Sequence, residues 1–183
     1  MDKIIPGLYI GSLRDSKDLT QLEKNQITHI ISILDVPREI YQNKIYLCIE
    51  AIDSPEQNLM QYFSSCNDFI HKARLNDQNV LIHCLAGMSR SVTIAIAYVM
   101  SVTSIKLKYT MRLIKMCRPI ASPNKGFSKQ LKYFECYGLS EERTRLKSLG
   151  LSAYQLTTDE EYCIRKLKEE KKKQNKMNTI NDL

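Results

Sequence analysis

No apolar run in this chain of 183 residues reaches the roughly 18 that span a bilayer, and the longest, residues 92–100, fits a buried helix. No secretory leader is expected either, because Pro6 and Gly7 interrupt the opening Ile4-Ile5 before an apolar core develops. The six cysteines, Cys48, Cys66, Cys84, Cys117, Cys136 and Cys163, include no Cys-x-x-Cys pair, which argues against zinc. With no leader, free thiols in a reducing cytosol or nucleus are the better reading than disulfides. Internal repeats, low-complexity segments, a Rossmann glycine pattern and a Walker loop are also missing, which removes solenoid, dinucleotide and nucleotide-triphosphate readings.

What is present suits one domain with a sizeable core, over residues 1–149, and a charged tail, partly helical or disordered, over 150–183. The net charge is +7, and seven Lys/Arg against six Asp/Glu lie beyond position 150, so the excess sits in the folded part. A positive surface attracts acidic, phosphorylated partners. From charge alone, a merely soluble basic surface is an equal reading. The run Lys171-Lys172-Lys173 resembles a nuclear-targeting or acidic-lipid patch, though such runs are mostly solvated helix or disorder.

The organising stretch is His83-Cys84-Leu85-Ala86-Gly87-Met88-Ser89-Arg90-Ser91. It follows Val80-Leu81-Ile82, which reads as a strand, and precedes the long apolar helix. Backbone curled from Leu85 through Ala86, Gly87, Met88 and Ser89 to Arg90, amides inward, makes a nest on a helix N-terminus. Both features favour an anion, and phosphate is the natural occupant. Arg90 can hold two phosphate oxygens in a fork, and Gly87 lets the backbone turn. Cys84 is the candidate nucleophile, since a helix N-terminus and a nearby arginine lower a thiol pKa from about 8.5 by several units.

Along the chain, residues 4–11 read as a turn into a short strand, 12–24 as a helix, 27–34 as a buried strand and 45–49 as another. His29 reads as structural. A polar loop, 51–59, leads to a helix with Leu59, Phe63, Cys66, Phe69, Ile70 and Ala73 on one face. Helices are expected again over 106–117, 127–137 and 141–149. Strands alternating with helices point to an α/β fold with a central, mostly parallel sheet flanked by helices and a site at a strand's carboxyl end.

His-Cys-x-x-Gly-x-x-Arg-Ser, met here at every fixed position, resembles the signature of cysteine-dependent protein tyrosine phosphatases. Pro6-Gly7-Leu8-Tyr9-Ile10-Gly11 and Asp53-Ser54-Pro55-Glu56-Gln57-Asn58-Leu59 extend the likeness, over residues 3–149, to the small atypical dual-specificity phosphatases. The resemblance implies the fold of that family and hydrolysis of phosphotyrosine, phosphoserine and phosphothreonine through a cysteinyl phosphate. It implies no cofactor and no metal, phosphorylated proteins as partners, and no nucleic acid. No pocket-deepening loop of the classical tyrosine-specific enzymes is visible, so a shallow site is expected.

Expelling an alkoxide or phenoxide needs a proton as the bond to phosphorus breaks. In the resembling family an aspartate on a mobile loop before the cysteine supplies it, and Asp53, 31 residues before Cys84, matches that position. Local sequence alone weighs this equally against a helix cap by Asp53 or Ser54, with Pro55 in the first turn. By the same resemblance Ser91 donates to the departing thiolate, His83 helps to hold the cysteine and its loop, and Asn124 braces the phosphate loop. The local alternatives are a helix-start hydroxyl for Ser91 and plain turn chemistry for Asn124.

Relatives in this group begin Met-Gly, a myristoylation start, whereas Asp2 stands here, which puts membrane association in doubt. A cytoplasmic, and also nuclear, location is expected. Low-molecular-weight phosphatases share Cys-x5-Arg-Ser but carry their acid downstream, against the order of Asp53 and Cys84. A rhodanese-type sulfur transferase and a phosphoprotein-binding module with little turnover are the remaining alternatives.

Overall fold

Every residue of Val80-Leu81-Ile82 is fully buried, as a strand covered on both faces must be. In the computed structural model, which describes residues 1–149 and 153–181, this run is the middle of β5 (Asn79–Cys84). Around it lie β1 (Asp2–Ile5), β2 (Leu8–Ser12), β3 (Ile27–Leu34) and β4 (Ile45–Glu50), in the order β1-β2-β5-β3-β4. All neighbours are parallel except β1 and β2. Register sets Ser12 beside Cys84 and Ser32 beside His83, which puts the signature at the carboxyl edge of the parallel strands.

The helices are α1 (Leu13–Ser16), α2 (Leu19–Lys24), α3 (Phe63–Leu75), α4 (Arg90–Val102), α5 (Leu107–Cys117), α6 (Lys125–Tyr137), α7 (Leu139–Ser148) and α8 (Ala153–Asn181). The larger core joins Ile10, Ile31 and Ile82 of the sheet to α3 and α4. α4 is buried along its whole length, so the helix that begins with Arg90 is the centre of its layer. A smaller cluster on the opposite face gathers Tyr9, Leu22, Ile30 and Leu81.

Three elements differ from the sequence reading. Residues 12–24 form two short helices, because Asp18 accepts from the Gln21 amide and starts α2 anew, while Ser12 and Asp15 make a capping box on α1. The turn at Pro6-Gly7, with Gly7 at φ 77°, folds β1 back as an antiparallel edge strand that the sequence did not reveal. No helix begins at Asp53 or Ser54. A 3₁₀ turn starts at Met60, and Gln130 of α6 accepts from the Leu59 and Met60 amides at 2.8 and 2.9 Å.

Within the charged segment, Ala153–Asn181 is helical, and Asp159 and Cys163 on it are buried against the rest of the fold. Arg74 forks onto Asp159 at 2.8 and 2.7 Å and also donates to Tyr98 Oη and the Pro6 carbonyl, while Cys163 is fully buried. Lys171 and Lys172 are exposed on α8; the side chain of Lys173 lies outside the described residues.

Removing one partner of a buried ion pair leaves an uncompensated charge. Asp159→Ala is therefore expected to destabilise the fold by roughly 3 kcal/mol in urea unfolding at neutral pH. A loss below about 0.5 kcal/mol, the range of ordinary surface substitutions, would show that α8 is not anchored this way.

Burial holds His29, His71 and His83 below the ordinary 6.5, the last two at about 4, with Arg74 adding to the effect on His71. The unfolded chain takes up these protons first, so stability present above pH 6.5 is lost as pH falls toward 4. Between pH 7.5 and 5 the unfolding free energy should drop by on the order of 3 kcal/mol. A flat profile across that window would contradict the burial of these rings.

Candidate active site

The loop between β5 and α4 is shaped by where its carbonyls go. Leu85 O accepts from the Leu13 amide at 3.1 Å, Met88 O from the Ser122 amide at 2.8 Å, and Ser89 O from the Thr93 amide at 2.9 Å. Arg118, a buried cation, donates through Nη2 to Ala86 O at 3.1 Å and through Nε to Gly87 O. With the carbonyls bonded outside the loop, its amides are left for the inside. Gly87, at φ 67°, has no room for a side chain, since a Cβ would collide with Arg118 Nη2 and Gly11 O.

Arg118 is in turn held by Asp2, whose Oδ2 accepts from Nη1 at 2.5 Å. Neither residue was read from sequence as a support of the loop; Asp2 entered only as the residue in place of a myristoylation glycine. Arg118 read only as a helix stop, and its partners lie 31 to 116 positions away.

Cys84 is 1 % exposed, and its Sγ lies 3.3 Å from Ser91 Oγ. Burial alone would raise its pKa, yet the thiol is pushed down, because the Ser91 hydroxyl and the amides of Ser91, Met88 and Gly87 together outweigh burial. Burial prevails at the other cysteines that shift: Cys48, Cys66 and Cys117 are raised, and Cys163 is pushed up to about 12. The expected depression of Cys84 thus rests on amides and a hydroxyl more than on the Arg90 charge.

Arg90 is also buried. Its Nη1 donates to Asp35 Oδ1 at 2.6 Å and Ala51 O at 2.7 Å, while Nε is buried without a partner. Two acceptors thus fix the guanidinium, and an oxyanion would satisfy the remaining donor. Asp35 was missed in the sequence. Its position just past the end of β3 was the available signal, since ligands of parallel sheets gather at strand carboxyl ends.

Asp53 sits exposed on the 51–59 loop, and its Oδ1 accepts from Ser89 Oγ at 2.7 Å and from Asn124 Nδ2 at 2.8 Å. Asn124 also caps α6, accepting from the Phe127 amide at 2.9 Å, and its own amide donates to Ser89 Oγ at 3.1 Å. Ser89 and Asn124 thereby tie the loop between β5 and α4, the 51–59 loop and α6 in one knot. Gly126 completes it, because a Cβ there would collide with the Pro55 backbone. Cys84, Arg90, Ser91, Asp53 and Asn124 are therefore brought together. His83 lies fully buried at the end of β5, and neither ring nitrogen has a hydrogen-bond partner among the described residues, so its contacts there are packing contacts.

A thiolate in an amide nest, backed by a fixed arginine and faced by a carboxylate, is a phosphoryl-transfer site. The chain belongs to the dual specificity phosphatases: the model of the dual specificity phosphatase catalytic domain matches residues 8–136. It is 47 % identical over 147 residues to dual specificity protein phosphatase 22-B of Danio rerio, covering 80 % of each chain. It is 50 % identical over 134 residues to dual specificity protein phosphatase 15 of Mus musculus, covering 73 % of this chain and 57 % of that one. The crystal structure of DUSP15 matches with a TM-score of 0.79 at 46 % identity, over 81 % of this chain and 95 % of that one. The fold expected from sequence is the one observed, and the protein is a protein phosphatase acting on phosphorylated proteins.

Asp2→Asn removes the counter-charge of Arg118 without removing bulk. A partly exposed pair is worth about 1 kcal/mol or less, so vanadate, a phosphate mimic, should bind several-fold more weakly. Unchanged vanadate inhibition in aryl phosphate assays would show that the Asp2–Arg118 pair does not shape the loop.

Proposed function

We propose that Cys84 is the nucleophile and Asp53 the general acid of a two-step hydrolysis. The Cys84 thiolate attacks phosphorus while Arg90 and the amides of residues 85–90 hold the non-bridging oxygens. A sulfur–phosphorus bond forms, the ester phosphorus–oxygen bond breaks, and Asp53 delivers its proton to the leaving oxygen. Water then attacks the cysteinyl phosphate as Asp53 takes up a proton, and Ser91 donates to the sulfur as it departs. Asp53 suits both turns, since Ser89 and Asn124 engage Oδ1, while Oδ2 has no partner among the described residues.

The observation that carries this reading is the contrast among buried thiols: the Cys84 thiol alone shifts toward the anion while Cys66 and Cys163 shift away. The reading further includes a cytoplasmic and nuclear location, supported by the need of a thiolate for reducing surroundings. It includes no nucleic-acid partner.

Cys84→Ser should abolish turnover and keep phosphopeptide binding. Asp53→Asn should slow alkyl phosphate hydrolysis roughly 100-fold or more, and aryl phosphates with good leaving groups far less. Equal losses on both substrate types would remove Asp53 from the role of acid.

A further inference from the structure

The mouth of the site carries a local field opposite to the net charge of the chain. A hollow of about 700 Å³ opens beside Arg90. Three large apolar side chains from three different loops border it: Val36, 68 % exposed, Ile52, 49 %, and Leu85, 62 %. Exposed apolar groups converging on one hollow mark a binding surface. This one is continuous with the phosphate seat, since Leu85 and Arg90 belong to both.

Asp35 and Asp53 also line the hollow. Each has only Oδ1 engaged, and among the described residues Oδ2 of either has no partner. Glu56, bonded to Ser54 of the lining, adds a further exposed carboxylate nearby. No lysine lines the hollow, and its single cation, Arg90, is committed to Asp35, Ala51 O and the incoming phosphate. At physiological ionic strength charges more than about 8 Å apart are largely screened, so the groups lining the hollow count there for more than the +7 total.

We propose that this hollow seats a lysine or arginine next to the phosphorylated residue of the substrate, its aliphatic stem on Val36, Ile52 and Leu85 and its cationic head at the open Oδ2 of Asp35, while Asp53 carries the proton for the leaving oxygen. Such side chains lay their methylenes along apolar surface while the charge stays in water, which is the arrangement offered here. The preferred substrates are then phosphoproteins with basic flanks, and acidic flanks are disfavoured. This rests on the phosphatase reading of the same site and adds its substrate class.

The test compares two phosphopeptides that differ only in carrying lysine or glutamate on both sides of the phosphoresidue, with p-nitrophenyl phosphate as a substrate lacking flanks. The lysine peptide should show a kcat/KM roughly fivefold or more above the glutamate peptide, mostly through KM. Val36→Lys, which places a cation in the hollow without touching the phosphate seat, should erase that ratio and leave p-nitrophenyl phosphate turnover unchanged. Equal peptide rates, or a preference for glutamate, with normal p-nitrophenyl phosphate turnover would overturn the assignment of the hollow alone. No hydrolysis of any of the three would overturn the phosphatase reading and this proposal with it.

Discussion

The outward fastening of the loop carbonyls is the constraint on which the site depends. An amide nest binds an anion only when its N–H groups share one focus, and a free six-residue loop has no reason to hold that shape. Here Leu13, the turn carrying Arg118 and Ser122, and Thr93 in the first turn of α4 take the carbonyls. The amides that remain push the Cys84 thiol toward its anion against the pull of burial. The arginine most directly responsible is not the one in the signature. Arg90 is bonded to Asp35 and Ala51 O, whereas Arg118 bonds the loop carbonyls and relies on Asp2 at the far edge of the sheet.

Tertiary packing explains why so many supports converge on one edge. β5 lies between β2 and β3, so the loops that follow these strands all emerge beside Cys84. α4 leaves the same point into the middle of its layer, and its complete burial keeps Arg90 and Ser91 in fixed positions. α8 adds to this body from beyond the family-matched residues, through a buried ion pair and Cys163.

What the sequence made legible follows from distance along the chain. The nest, the nucleophile and the helix start lie within nine consecutive residues, and the strand runs are uniformly apolar, so both could be read locally. Asp35, Asp2, Arg118 and the hydroxyl of Ser89 act through partners tens of positions away, and of these only Asp35, just past the end of β3, stands where the local sequence gives a signal. The helix cap weighed as the alternative role of Asp53 or Ser54 is absent for the same reason. The amides at Leu59 and Met60 find their acceptor in Gln130, 70 or more positions on, which frees the loop from capping duty. Asp18 is the converse case, a local cap within a segment read as one continuous helix.

The absence of a side chain at Gly126 has a mechanical meaning for the acid. Pro55 already occupies the space a Cβ would fill, so the strand of backbone bearing Asp53 rests directly on α6 and has nowhere to travel in that direction. Travel the other way means parting from Ser89, Asn124 and Gln130 at once. The loop that bears Asp53 is consequently seated on α6 from one side and tied by hydrogen bonds from the other.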